Sequence, residues 1–148
     1  MRAKFMNDLK EAMKTGQKRR VDTIRLITSA LKDKEIEARG TGKTLGDDDI
    51  LALLQKMIKS RQESLGIFEG AGREDLALIE REEIAIISGY LPQQLDEEAV
   101  AAAIKVAVSE TGAASIKDMG KVIAVLKGKY TGQMDFGKAS ALVKAMLG

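Results

Sequence analysis

The sequence contains no cysteine, no histidine and no tryptophan, and it has a single proline among its 148 residues. The missing thiols and imidazoles exclude disulfides, cysteine nucleophiles, histidine general bases and zinc sites built from these side chains. We therefore expect no bound metal and no cofactor. A protein that needs no disulfide framework suits a reducing compartment, and we predict a cytoplasmic location.

Aromatic residues and long apolar runs are also scarce. Phenylalanine and tyrosine together number five, so the core must be built from leucine, isoleucine, valine, methionine and alanine. No apolar run approaches the roughly 18 residues of a membrane-spanning helix, and the first residues are too charged for a signal peptide. We expect neither a membrane partner nor an export signal.

Helical periodicity dominates the chain. Glycines at Gly16, Gly40-Thr41-Gly42 and Gly70-Ala71-Gly72 separate four stretches whose apolar residues recur three and four apart. Thr44 and Asp47 have the spacing of a capping box, which predicts the start of the third helix. The third and fourth stretches are long and joined by a short glycine turn, as in an antiparallel helical hairpin. No segment alternates as a strand would, so the sequence predicts an all-α protein.

The single proline marks the predicted domain boundary. Pro92 lies in Tyr90-Leu91-Pro92-Gln93-Gln94-Leu95, and proline disfavours helical geometry at the preceding residue. Three further helices follow, each opening at a predicted N-cap: Asp96, Ser115 and Asp135. We predict an N-terminal helical domain with a long hairpin over residues 1–92 and a compact three-helix bundle over residues 93–148.

Candidates for catalysis are weak. Gly42-Lys43-Thr44 is similar to the end of a phosphate-binding P-loop, but Glu37 occupies the position of the first glycine and no strand precedes it. Lys56 and Ser60 have the spacing of a lysine–serine pair, which is common on charged helix faces. No residue set forms a nucleophile, a base and an orienting partner. We expect no catalytic residue and no enzymatic activity of the isolated chain.

The charge distribution is the main functional indication. The whole chain carries only +2, but between Gly112 and Gly148 six lysines accompany only two acids, both at predicted caps. We place residues 127–130 in a loop, where lysines would hold phosphates and a tyrosine would stack on a base. The candidate nucleic-acid-binding residues are Lys117, Lys121, Lys127, Lys129, Tyr130, Lys138 and Lys144. A merely solubilising lysine surface is the alternative interpretation.

Several segments resemble the YqeY-like family, and together they cover essentially the whole chain. The clearest are Tyr90-Leu91-Pro92-Gln93-Gln94-Leu95 and Lys117-Asp118-Met119-Gly120-Lys121-Val122. In the first half the resemblance rests on Thr23-Ile24-Arg25-Leu26-Ile27 and Lys59-Ser60-Arg61-Gln62-Glu63-Ser64.

The resemblance also carries a functional expectation. The C-terminal half of this GatB/YqeY-type family is similar to the tail domain of the GatB component of the aspartyl/glutamyl-tRNA amidotransferase, a helical module that contacts tRNA apart from the catalytic domains. It therefore implies tRNA or other RNA binding through Lys121, Lys127 and Lys129, by a non-catalytic accessory of tRNA metabolism. Unlike that tail, this chain has a longer segment, residues 130–134, before its last helix.

Two other functions stay open. The long N-terminal hairpin carries an apolar stripe that suits a protein partner, which would make the chain an interaction scaffold. The label that the family would carry is a carbon–nitrogen ligase with glutamine as amido-N-donor. The chain lacks the catalytic domains of the amidotransferase, so it would take part in amidotransfer only with partner subunits.

Overall fold

The computed structural model describes residues 1–148, and it confirms the prediction of an all-α protein. A short 3₁₀ helix, Ile116–Asp118, accompanies seven α-helices. These are α1 (Arg2–Lys14), α2 (Lys18–Gly40), α3 (Asp47–Gly70), α4 (Glu74–Ser88), α5 (Glu97–Thr111), α6 (Met119–Lys129) and α7 (Phe136–Leu147). No single helix combines the length and the apolar composition needed to cross a membrane; Glu97–Thr111 and Ile116–Lys129 reach them only when added together across a 97° bend.

The chain divides into two compact units, Met1–Leu91 and Pro92–Gly148. In the first unit, α1 packs on α2, and α3 packs on α4 as a long hairpin. Six large apolar side chains from these four helices are completely buried: Phe5, Ile24, Ile27, Ile50, Leu54 and Ile87. Thr23 is buried among them, and its hydroxyl donates to the carbonyl oxygen of Arg19 at 2.7 Å, so the core contains no unpaired hydroxyl there.

The predicted capping box at Thr44 and Asp47 is wrong. Helix α3 begins at Asp47 with Gly46 as its N-cap, and the Asp49 carboxylate accepts a hydrogen bond from the Gly46 amide at 2.9 Å. Three consecutive aspartates give α3 an acidic first turn, which favours the positive end of the helix dipole.

The second unit is a bundle of α5, α6 and α7 around a core of small and branched side chains. Ile104, Val122, Leu126 and Val143 are completely buried there. Two of the predicted caps are made as expected: the Asp96 carboxylate accepts from the Ala99 amide, and that of Asp135 accepts from two amides at the start of α7. Ser115 opens the 3₁₀ helix that leads into α6.

The longer segment before the last helix is tied into this bundle. The amide of Leu95 donates to the carbonyl oxygen of Gln133 at 2.9 Å, and the side-chain amide of Gln94 donates to the carbonyl oxygen of Gly132. Met134 is buried in the core. Because these contacts fix residues 130–134 to the start of the unit, the segment closes the bundle at this point.

Candidate nucleic-acid interface

The candidate site is the solvent-exposed side of α6. Val122 and Leu126 bury the opposite side of this helix in the core. Residues spaced four apart lie in one row along a helix, so positions 120, 124 and 128 form a row on the exposed side. Five exposed residues make up this surface, which we call the α6 face: Gly120, Lys121, Ala124, Lys127 and Gly128.

Lys121 and Lys127 flank the row of small residues. They are six positions apart, which corresponds to about 9 Å along the helix axis. Neither ammonium lies within 4.0 Å of a carboxylate. The backbone amides of Ala114 and Ser115 lower the pKa of Asp118, and the nearby charge of Lys121 lowers it further. Both ammonium groups are exposed and outside any close ion pair, so an external anion can reach them.

Lys129 is engaged within the protein. Its ammonium lies 3.0 and 2.8 Å from the two carboxylate oxygens of Glu110 on α5, and this hydrogen-bonded ion pair raises the pKa of the lysine. The predicted loop at residues 127–130 is also wrong, because α6 continues through Lys129 and Tyr130 is only its C-cap. A phosphate at Lys129 would have to compete with Glu110.

Tyr130 differs from its predicted role as an open stacking platform. Its side chain is partly buried and packs against the core of the second unit. A base can stack only on an exposed ring face. The packing therefore removes much of this side chain from a nucleic-acid surface.

The remaining candidate lysines are exposed but do not lie in one row. Lys117 belongs to the 3₁₀ helix immediately before α6. Lys138 and Lys144 lie on α7, and their spacing of six places them about 120° apart around that helix. They therefore occupy opposite edges of its exposed side. Lys121 and Lys127 have the same spacing and lie equally far apart around α6. Lys138 and Lys144 also flank an exposed row of small residues: Gly137, Ala141 and Ala145. The α6 face differs from this row in having two glycines where α7 has one.

The row of small residues was not among the predicted site residues. A Cβ atom at Gly120 or Gly128 would meet no atom within 4 Å, so packing within the unit does not require glycine at either position. Glycine inside a helix costs about 0.5–1 kcal/mol relative to alanine. The sequence does contain a signal for this surface. Two glycines and an alanine recur at intervals of four on the side of the helix opposite its apolar residues.

Comparison with known proteins identifies relatives along most of the chain. The family model described as Yqey-like protein matches residues 2–147. A protein of Pyrenophora tritici-repentis named "Altered inheritance of mitochondria protein 41, mitochondrial" is 34% identical over 128 residues, covering 82% of this chain and 68% of the relative. The protein of the same name from Lachancea thermotolerans is 40% identical over 91 residues, covering 62% of this chain and 48% of the relative.

These comparisons correct one prediction and identify the family of the chain. The chain spans about half of the Lachancea thermotolerans protein and about two thirds of the Pyrenophora tritici-repentis protein. Both names contain the word mitochondrial. So does the name of a relative from Clavispora lusitaniae, which is 38% identical over 94 residues, covering 62% of this chain and 53% of the relative. The prediction of a cytoplasmic location is therefore wrong by this comparison. Since the family model matches nearly every residue, the chain belongs to the YqeY-like family.

Proposed function

We propose that this chain is a non-catalytic RNA-binding accessory protein that contacts the phosphate backbone of tRNA, or of an RNA of similar shape, through the α6 face. One observation carries the proposal: Lys121 and Lys127 form no ion pair within 4.0 Å and flank an exposed row of residues with little or no side chain.

The charges of the second unit favour local positive patches over a large net positive charge of the whole unit. The second unit has seven lysines and six acids, which leaves it at only +1. Four of those acids already have partners within the unit, either backbone amides or one lysine. Asp96, Asp118 and Asp135 accept backbone amides at helix starts, and Glu110 pairs with Lys129. The other six lysines keep their ammonium groups out of ion pairs: Lys105, Lys117, Lys121, Lys127, Lys138 and Lys144.

The small residues let a phosphate chain approach the helix closely. Each lysine that neutralises a phosphate releases condensed counterions, which makes affinity depend steeply on salt. Because nothing larger than a methyl group stands between Lys121 and Lys127, a strand can lie against the helix and reach both ammonium groups. Such contacts carry no base information, so the surface suits recognition of RNA shape and backbone.

Fluorescence anisotropy with labelled tRNA over a series of salt concentrations tests the proposal. The double variant Lys121→Ala/Lys127→Ala should bind more weakly, and the slope of log affinity against log salt should become shallower by about 1.4–1.8, since each lost phosphate contact removes about 0.7–0.9. The matched control is Lys10→Ala/Lys14→Ala on α1, which removes the same charge from the first unit. Equal affinity and slope in the two double variants would contradict the proposal.

A scaffold function is a second candidate, favoured by open apolar residues on the long hairpin. Ile67 on α3 is 69% exposed and Leu78 on α4 is 51% exposed. Affinity capture that survives nuclease and is lost in Ile67→Ser/Leu78→Ser would support this function. Participation in glutamine-dependent amidotransfer rests on the family resemblance alone, and reconstitution of tRNA amidation with and without this chain tests it.

A further inference from the structure

A cleft of about 400 Å³ lies between α1 and α2 in the first unit. Its floor contains the buried side chains of Phe5 and Leu31, and its walls carry Met6 and Ile36, which are 49% and 56% exposed. Burying such apolar surface against a partner is favourable because it removes the surface from water. Methionine adapts its shape to different partners, so this lining suits a binding groove.

Unpaired cations border the cleft. Lys32 and Arg39 line it, and neither forms an ion pair. Glu35 is the acid among the lining residues, and Arg2 neutralises it through an ion pair of 2.7 Å. Lys43 extends the basic border, since it lines the adjoining cleft together with Arg39.

The charges of α2 are segregated around the helix. Asp33 and Glu37 line a different cleft, between α2 and α3, where Lys34 and Lys56 also lie. The side of α2 that faces α1 therefore has an excess of positive charge. A ligand that fits this side must combine apolar groups for Met6 and Ile36 with negative groups for the border.

The length of the cleft suits a short helix. Its lining on α2 runs from Thr28 to Arg39, which is about 16 Å, or three helical turns. A helix bound in a groove presents apolar anchors at positions i, i+4 and i+7 over a similar length. We propose that the α1–α2 cleft binds an acidic amphipathic helix of a partner protein, at a site separate from the α6 face.

Selection and affinity measurement with the full chain test this proposal. A displayed library of random peptides of about 14 residues, roughly four helical turns, is selected on the immobilised protein, and the selected peptides are measured by anisotropy. We expect apolar residues at i, i+4 and i+7 and a net negative charge. Ile36→Ala should weaken binding about tenfold, as removal of a central anchor does. Lys32→Ala/Arg39→Ala should weaken it mainly at low salt.

The control is Val106→Ala, which trims an exposed branched side chain in the second unit and should leave peptide affinity unchanged. The Lys121→Ala/Lys127→Ala variant should also bind the peptides normally, which separates this proposal from RNA binding. Failure to select any peptide, selection without acidic bias, or equal binding by Ile36→Ala would overturn the proposal. A dimer of the chain that dissociates in Ile36→Ala would also overturn it, because the cleft would then bind a second copy. A loss of tRNA affinity in Ile36→Ala would do so as well, because the cleft would then bind RNA.

Discussion

Replacing Gly120 and Gly128 by alanine separates the folding role of α6 from its proposed binding role. Gly120 is the second residue of α6 and Gly128 the second from its end, and an added Cβ meets no atom within 4 Å at either position. Alanine is favoured over glycine in a helix by about 0.5–1 kcal/mol per position, and the sites lie far enough apart to add. Because both positions lie in the end turns, where the preference is weaker than in the middle of a helix, the double variant should stabilise the second unit by up to about 1 kcal/mol.

The same methyl groups should weaken RNA binding. They stand between Lys121 and Lys127 and would hold a phosphate chain about one methyl radius further from the helix. Moving an ammonium–phosphate pair from about 4 to about 5.5 Å loses about 1 kcal/mol at an effective dielectric constant of about 20. The flexible lysine side chains can move and recover part of this loss. The remainder corresponds to about three- to fivefold weaker binding.

Two measurements on the full chain decide the outcome. Hydrogen exchange of α6 and α7 amides reports the stability of the second unit alone, which a single melting curve of a two-unit chain does not. Anisotropy with labelled tRNA reports affinity. Ala124→Gly is the matched control, since it should lower stability by about 0.5–1 kcal/mol without weakening affinity. A double alanine variant that is stabilised and binds tRNA like the wild type would refute the close-approach argument.

Two other substitutions probe the charges and the domain core. Glu110→Gln frees Lys129 from its ion pair and removes a negative charge, so tRNA affinity should rise about two- to threefold at low salt and this gain should fade as salt screens it. Burial and the 2.5 Å hydrogen bond to Asp8 raise the pKa of Tyr90 to about 12, so the stability contributed by its protonated phenol is complete below about pH 10 and lost as pH rises to about 12. Tyr90→Phe should remove this alkaline loss in unfolding experiments; an unchanged pH profile would contradict the assignment.

The breaks between the first helices could be predicted because each of them needs a backbone conformation that glycine adopts readily. Gly16, Gly42 and Gly72 all adopt a positive φ between 69° and 72°, a conformation that other residues rarely take. The cap of α3 was not predictable in the same way. Asp47, Asp48 and Asp49 offer the same carboxylate in three successive registers, and only the course of the preceding chain selects Asp49 as the acceptor for Gly46.

The candidate surface shows a different limit of prediction. Counting charges after Gly112 omits Glu110, which lies 19 positions before Lys129 in the sequence and contacts it through the packing of α5 beside α6. The same count cannot tell that Tyr130 packs against the core. The proposal for RNA therefore rests less on the number of lysines than on which of them lack a partner. Six lysines of the second unit meet that condition, and Lys121 and Lys127 are the pair with two glycines on the helix surface between them. Alanine would favour the helix more than glycine at both positions, and neither glycine is required by packing.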